Sequence, residues 1–347
     1  MKPALRTAML ALLATSHGVN DFLAGWLLGG EFPAASAWDR IPWLVVYAAL
    51  AFAGQLPVAW LMERSTRQDR WFAGSLALMA LAVAARLISP GLAVVISGVA
   101  SAFCHVSGGA LALQLPRGEG AIGWFSAPGI LGLTVGGWLG HTHGNLAAWA
   151  AIGPVMLLAG WAVLRPHWPR TEQGMGEGRM AAPGVDAHDG LMLLILLALT
   201  LRSALWDLVQ VTQLNDPSVV LALAFSAAFG KVLGGWMITR WPPVRQVSLT
   251  LLISCLLLEL GRGHWIGLCM GVALLQSTVP ASIVLLHRSF GTSAARASAY
   301  GLGLTVALGG LVMPMRASYL ALLMAVAVSA LLLLWRAPRR DRLLPAA

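Results

Sequence analysis

The sequence predicts an all-α, polytopic membrane protein of about twelve transmembrane helices. Three observations carry that expectation: the composition, the lengths of the apolar runs, and the placing of the basic residues. Of 347 residues, 58% are hydrophobic and 11% are charged, against roughly 25% charged in soluble domains. The mean hydropathy is +0.75. Apolar runs fall near 7–28, 41–62, 71–88, 91–113, 120–140, 145–164, 190–210, 218–238, 244–260, 263–286, 296–315 and 317–335, each close to the roughly 20 residues that cross a bilayer as helix. Unbroken apolar runs joined by tight loops favour helices over the alternating strands of a barrel.

The net charge of +9 is explained by topology without nucleic acid. With the N-terminus in the cytoplasm, Lys2, Arg6, Arg64, Arg67, Arg70, Arg117, Arg165, Arg240, Arg245, Arg288, Arg296 and the Arg336–Arg342 tail fall on the inner side. Arg40, Arg86, Arg262 and Arg316 fall outside. This asymmetry is the positive-inside rule, and it places both termini in the cytoplasm of a cell (inner) membrane protein. The first run, with Lys2 and Arg6 before it, resembles a signal peptide but lacks a small-residue cleavage site, so it reads as an uncleaved first helix. Cys104, Cys255 and Cys269 lie inside spans and read as small packing residues. Tryptophans near span ends, among them Trp71, Trp168, Trp241, Trp265 and Trp335, suit an interfacial belt.

Residues 165–190 form the one long polar stretch, rich in Pro, Gly and mixed charge, and read as a flexible linker. It divides the chain into a six-helix half at 1–164, a cytoplasmic linker at 165–189, and a second half at 190–347 ending in a short basic tail. The halves echo each other. "GQLPVAWLMER" (54–64) and "GKVLGGWMITR" (230–240) share Gly, Trp and Arg at equal spacing, and "LGLTV" occurs at 131–135 and 302–306. Repeats at equivalent places are a mark of duplicated transporter halves.

Six plus six spans around a central linker resemble the major facilitator superfamily, over nearly the whole chain. "HGVND" in span one, "SAFCHVSGGALAL" (101–113) in span four and "QSTVPASIVLLHRSFGTSAARASAYGLG" (276–303) are most similar to the branch of fosmidomycin-resistance-type exporters. The loop after span two keeps Gly54, Glu63 and Arg64 without the superfamily's Gly-Asp-Arg-Gly core, and Val106 stands where that branch has Pro. The resemblance implies a small-molecule secondary transporter, proton-coupled and exporting, neither an enzyme nor a nucleic-acid binder, and working as a monomer in the lipid bilayer. It also implies that spans one, four, seven and ten line a central cavity.

The polar residues inside the spans follow those four helices. At 100° per residue, Asn20 lies about 60° to one side of His17 and Asp21 about 40° to the other, so they form one stripe. His105 lies in span four, Arg202, Asp207 and Gln210 in span seven, and Gln276, Ser277 and Thr278 in span ten. Ionisable groups at membrane depth are costly and mark substrate or proton paths, which makes these residues the candidate pathway and Asp21 or His17 the candidate proton carrier. The plainer reading of His17 and Asp21 is a structural pair one turn apart. Arg202 suits an anionic substrate or an ion pair. Lys231 either snorkels to the inner surface or joins Glu63, Arg64 and Arg240 in a cytoplasmic gate. No metal-ligand spacing, nucleotide loop or cofactor motif is apparent, so no metal and no cofactor is expected. The rival readings are a membrane-embedded enzyme or lipid-handling protein using His17, Asp21 and His105 as acid and base, and a transport-inactive sensor.

Overall fold

The computed structural model describes residues 1–30, 37–142, 147–169, 187–214, 216–289, 292–312 and 318–336. The described chain is helical throughout, without a strand, and its helices fall on the twelve expected spans. Span one is α1 (Pro3–Gly30). Span two is α2 (Ala37–Ala48), a π turn (Ala49–Ala53) and α3 (Gln55–Met62). Spans three to six are α4 (Gln68–Ala85), α5 (Pro90–Gln114), α6 (Gly118–Thr142) and α7 (Ala147–Leu164). Spans seven to ten are α8 (Ala187–Thr212), α9 (Pro217–Met237), α10 (Pro243–Leu260) and α11 (Trp265–Ser289). Span eleven is α12 (Ala294–Ser298), a π turn (Ala299–Leu304) and α13 (Thr305–Gly310), and span twelve is α14 (Tyr319–Arg336). Most of the linker, 170–186, and the basic tail, 337–347, lie outside the described residues.

Helix starts follow the sequence. Pro90 and Pro217 open α5 and α9 behind Ser89 and Asp216, whose side chains accept from the first free amides, the arrangement proline and capping residues favour at an N-terminus. Among the described residues, eight helical stretches are long and apolar enough to cross a membrane. Exposed apolar side chains such as Phe225, Phe229, Leu256 and Leu332 cover the outside, where lipid rather than water is their solvent. Of the expected tryptophan belt, Trp265 and Trp335 are exposed, but Trp168 is buried and packs its ring 6.3 Å from that of Phe72. It is a packing residue because the chain folds back beneath span three.

Glycine sets the closest helix contacts. A Cβ on Gly132, Gly136 or Gly140 of α6 would strike the carbonyls of Gly18, Phe22 or Trp26 on α1, so this four-residue repeat lets the two backbones touch. In the second half, Gly230 and Gly234 of α9 meet the carbonyls of Ala273 and Ser277 on α11 in the same way. The halves join along two seams. In one, α6 packs on α9; in the other, the π turn and α3 of span two pack on the π turn and α12 of span eleven. Renumbering by six spans turns one seam into the other, five–eight into eleven–two.

Candidate functional site

The polar stripe of α1 becomes a closed cluster because α1 is pressed against α6 and α5. Gly129 of α6 is essential to that approach, since a Cβ there would fall on His17 Nε2 and on Asp21 Oδ2. Gly129 follows Pro128, which lies inside α6 and removes one helix amide. In the same stretch the Phe125 carbonyl accepts from His17 Nδ1 at 2.8 Å. The His17 ring stacks on Phe125, centroids 4.7 Å apart.

His105 meets the stripe from α5. Its Nε2 is 3.0 Å from His17 Nε2 and 3.8 Å from Asp21 Oδ1. Asp21 Oδ2 is 3.3 Å from His17 Nε2. One helical turn before His105, Ser101 offers both its carbonyl, 2.7 Å from His105 Nδ1, and its hydroxyl. That hydroxyl accepts from Asn20 Nδ2 at 3.1 Å and from the Tyr47 hydroxyl at 3.2 Å. Asn20 also donates to Asp21 Oδ1 at 2.7 Å. His17, Asn20 and His105 are buried, with relative exposures of 2%, 1% and 5%. Three of the expected residues thus lie in one network with His105. Tyr47, Ser101 and the Phe125 carbonyl are members the sequence reading missed; the Ser-x-x-x-His spacing of 101–105 places both on one face of a helix and was the available signal.

The second half carries a sparser counterpart. Arg202 of α8 is 3% exposed and donates to Gln276 Oε1 of α11 at 3.0 Å and to the Ser203 hydroxyl at 3.3 Å. Its Nε is buried without a partner. No carboxylate stands within ion-pair distance of it among the described residues. Asp207 and Gln210 lie farther along α8 and are half-buried. Ser277 and Thr278 donate to carbonyls of their own helix, Leu274 and Leu275.

The four residues expected at a cytoplasmic gate fall in three settings. Glu63 does cross between halves: it accepts from the Ser293 hydroxyl and pairs with Arg296 at 2.5 Å. A second ion pair joins Glu119, at the start of α6, to Arg288, at the end of α11. Arg64 and Arg240 make neither contact. Arg64 lies 3.3 Å over the ring of Trp60 and Arg240 4.1 Å over that of Trp236, each folded back along its own helix because a tryptophan one turn earlier offers its face. Lys231 neither snorkels nor joins these pairs. It donates to the Ser126 carbonyl of α6 at 3.1 Å, across the α6–α9 seam. Glu63, Ser293 and Arg296, with Glu119 and Arg288, all sit at the end of the bundle where the basic loops gather.

No protein-family model matches the sequence, and no curated protein does. Solved structures match closely in shape. A crystal structure of the major facilitator superfamily transporter FucP in the outward conformation aligns over 97% of this chain and 98% of its own, with a TM-score of 0.65 and 14% identity. A crystal structure of a variant of the Escherichia coli fucose:proton symporter FucP aligns over 96% and 98%, with a TM-score of 0.67 and 14% identity. The chain has the major facilitator fold. At this identity the likeness speaks for the fold: two six-helix halves in a multi-pass membrane protein.

Proposed function

We propose that this protein is a major facilitator transporter that moves a small anionic molecule by alternating access, coupled to protons, with both termini in the cytoplasm and export as its direction. The observation that carries the reading is the placing of buried and half-buried ionisable groups on spans one and four and on spans seven and ten, where His17, Asp21 and His105 gather in one half and Arg202 stands in the other. Buried charge is costly in a membrane and is retained where it handles an ion or a solute. The first cluster has donors and acceptors for a proton. The guanidinium, with an unspent donor at Nε and, among the described residues, Asp207 acting on it only from beyond ion-pair distance, suits a carboxylate or phosphonate, for which arginine's fork geometry is matched. The inter-half contacts of Glu63 and Glu119 support a state latched on the basic face and open to the other side, in keeping with the outward conformation of the FucP structure.

The test is transport in proteoliposomes, with fosmidomycin as the first anionic probe and fucose as a neutral comparison. Wild-type protein should exchange labelled fosmidomycin and accumulate it under a pH gradient. Asp21→Asn should lose accumulation while keeping exchange, since exchange needs binding and rocking without net proton movement. If Asp21→Asn accumulates the probe with wild-type pH dependence, the proton-coupling role of this cluster is wrong.

A further inference from the structure

The two imidazoles of the cluster face each other in a way that fixes how many protons lie between them. His17 Nδ1 is 2.8 Å from the Phe125 carbonyl and His105 Nδ1 is 2.7 Å from the Ser101 carbonyl. A carbonyl oxygen only accepts, so each Nδ1 carries a hydrogen. A neutral ring protonated at Nδ1 has a bare lone pair at Nε2. Two such lone pairs would then confront each other at 3.0 Å, a separation that belongs to a hydrogen bond. One additional proton between them resolves the conflict. The arrangement that avoids it has the Ser101 hydroxyl donating to His105 Nδ1 at 3.1 Å and His105 Nε2 donating to His17. It leaves the Nδ1 lone pair 2.7 Å from the Ser101 carbonyl, one acceptor against another.

Resting on the transport reading for its purpose, we propose that His17 and His105 hold a single shared proton between their Nε2 atoms, and that this proton, rather than a carboxylic acid on Asp21, is the one the protein carries. Asp21, 3.3 and 3.8 Å away, supplies the compensating negative charge, so the protonated cluster is neutral inside the protein. The other titratable groups facing it are Tyr47 from α2, Cys104 from α5 and Lys231 from α9; α6 contributes the Phe125 carbonyl and ring, neither of which titrates. Losing the proton leaves the carboxylate unbalanced and two lone pairs in contact. The rings must then part. Because His17 is tied to a carbonyl of α6 and His105 to a carbonyl of its own α5, parting the rings drives α1 and α6 away from α5. Helices α6 and α5 each pack against the other half, α6 on α9 and α5 on α12, so the local event bears on both seams.

The experiment is nitrogen-15 NMR of histidine-labelled protein in lipid nanodiscs, with His17→Gln and His105→Gln identifying the two signals among eight histidines. The expected result is two rings protonated at Nδ1, joined by one proton that correlates with both Nε2 nuclei and disappears in a single step as the pH rises. His105→Gln should also lose pH-driven accumulation as completely as Asp21→Asn while keeping exchange. A His105 ring with a bare Nδ1 and an Nε2–H confined to itself overturns the proposal. So does a stoichiometric transition metal whose removal by chelator changes both signals, since the three donor groups lie within 4.8 Å of one another and a metal would replace the proton. Wild-type accumulation by His105→Gln overturns the coupling role. The NMR result needs no transport, so a shared proton in a protein that moves no solute would leave the pair standing and remove the transport reading instead.

Discussion

The two halves place their polar groups on equivalent helices and leave them in opposite states. In the first, α1 and α5 meet through His17 and His105, and Asp21, Asn20, Ser101 and Tyr47 close a shell around them. In the second, α8 and α11 meet through Arg202 and Gln276, and the guanidinium keeps a buried Nε unspent. A duplicated scaffold therefore fixes where polar groups can stand. Under the proposed function their charge balance divides the work: the first half holds a proton, and the second offers Arg202 to an anion.

The largest expected effect comes from crossing the two sites. Arg202→Gln removes the charge that would hold the solute, and hydrogen bonds to charged groups contribute about 1.5–3 kcal/mol. Binding of an anionic solute should weaken by roughly 10- to 100-fold, and exchange and accumulation should fall together. Asp21→Asn should separate them. Solute binding measured by calorimetry beside the two transport assays decides the matter: if the variants show the same pattern, the halves do not divide the work as described.

How much of this was legible in the sequence follows from which constraints are local. The hydrocarbon thickness dictates span length, so composition and run lengths located all twelve spans, including the broken eleventh. The angular step of a helix placed His17, Asn20 and Asp21 on one stripe. What closes that stripe comes from elsewhere: His105 is 88 residues from His17, and its approach depends on glycines whose function is visible only when α1 and α6 dock. The π turns of spans two and eleven lie in stretches where alanine or glycine alternates with larger apolar residues, 49–53 and 299–304, that read equally well as plain helix. The contacts between the halves were only partly legible for a related reason. Glu63 and Lys231, both expected there, do reach the other half, whereas Arg64 and Arg240, prominent in the repeat, fold back on their own helices; the further members Glu119, Arg288, Ser293 and Arg296 are brought together only by the docked bundle.

The latches give a middle-sized test, because both join the two halves at the same end. Each contains a half-exposed arginine, Arg296 at 50% and Arg288 at 47%, and ion pairs so exposed contribute about 0.2–1 kcal/mol. Glu63→Gln or Glu119→Gln should shift the population toward opening on the basic face by no more than about fivefold, and the double variant should shift it further. Labelling of a cysteine introduced on the inner stretch of α11 would report it. Unchanged labelling in the double variant would mean that the α6–α9 and span two–eleven packing holds that face shut without them.

The smallest effect is the one that the halves should share. Arg64 on Trp60 and Arg240 on Trp236 repeat one stack at matching positions, and the arginines are exposed. A cation over an aromatic face at such a site contributes about 0.5–1 kcal/mol. Arg64→Gln and Arg240→Gln should therefore lower thermal stability slightly and by similar amounts. Arg240→Gln should cost a little more, because Arg240 also donates to the Trp236 carbonyl and the Thr239 hydroxyl, each at 3.2 Å. Neither variant should alter labelling on the basic face or the ratio of accumulation to exchange, since neither arginine bridges the halves. Melting curves and cysteine labelling on the same preparations test this together. A labelling change in Arg64→Gln comparable to that in Glu63→Gln would return Arg64 to the gate, and would show that the stack on Trp60 gives way when the bundle reopens.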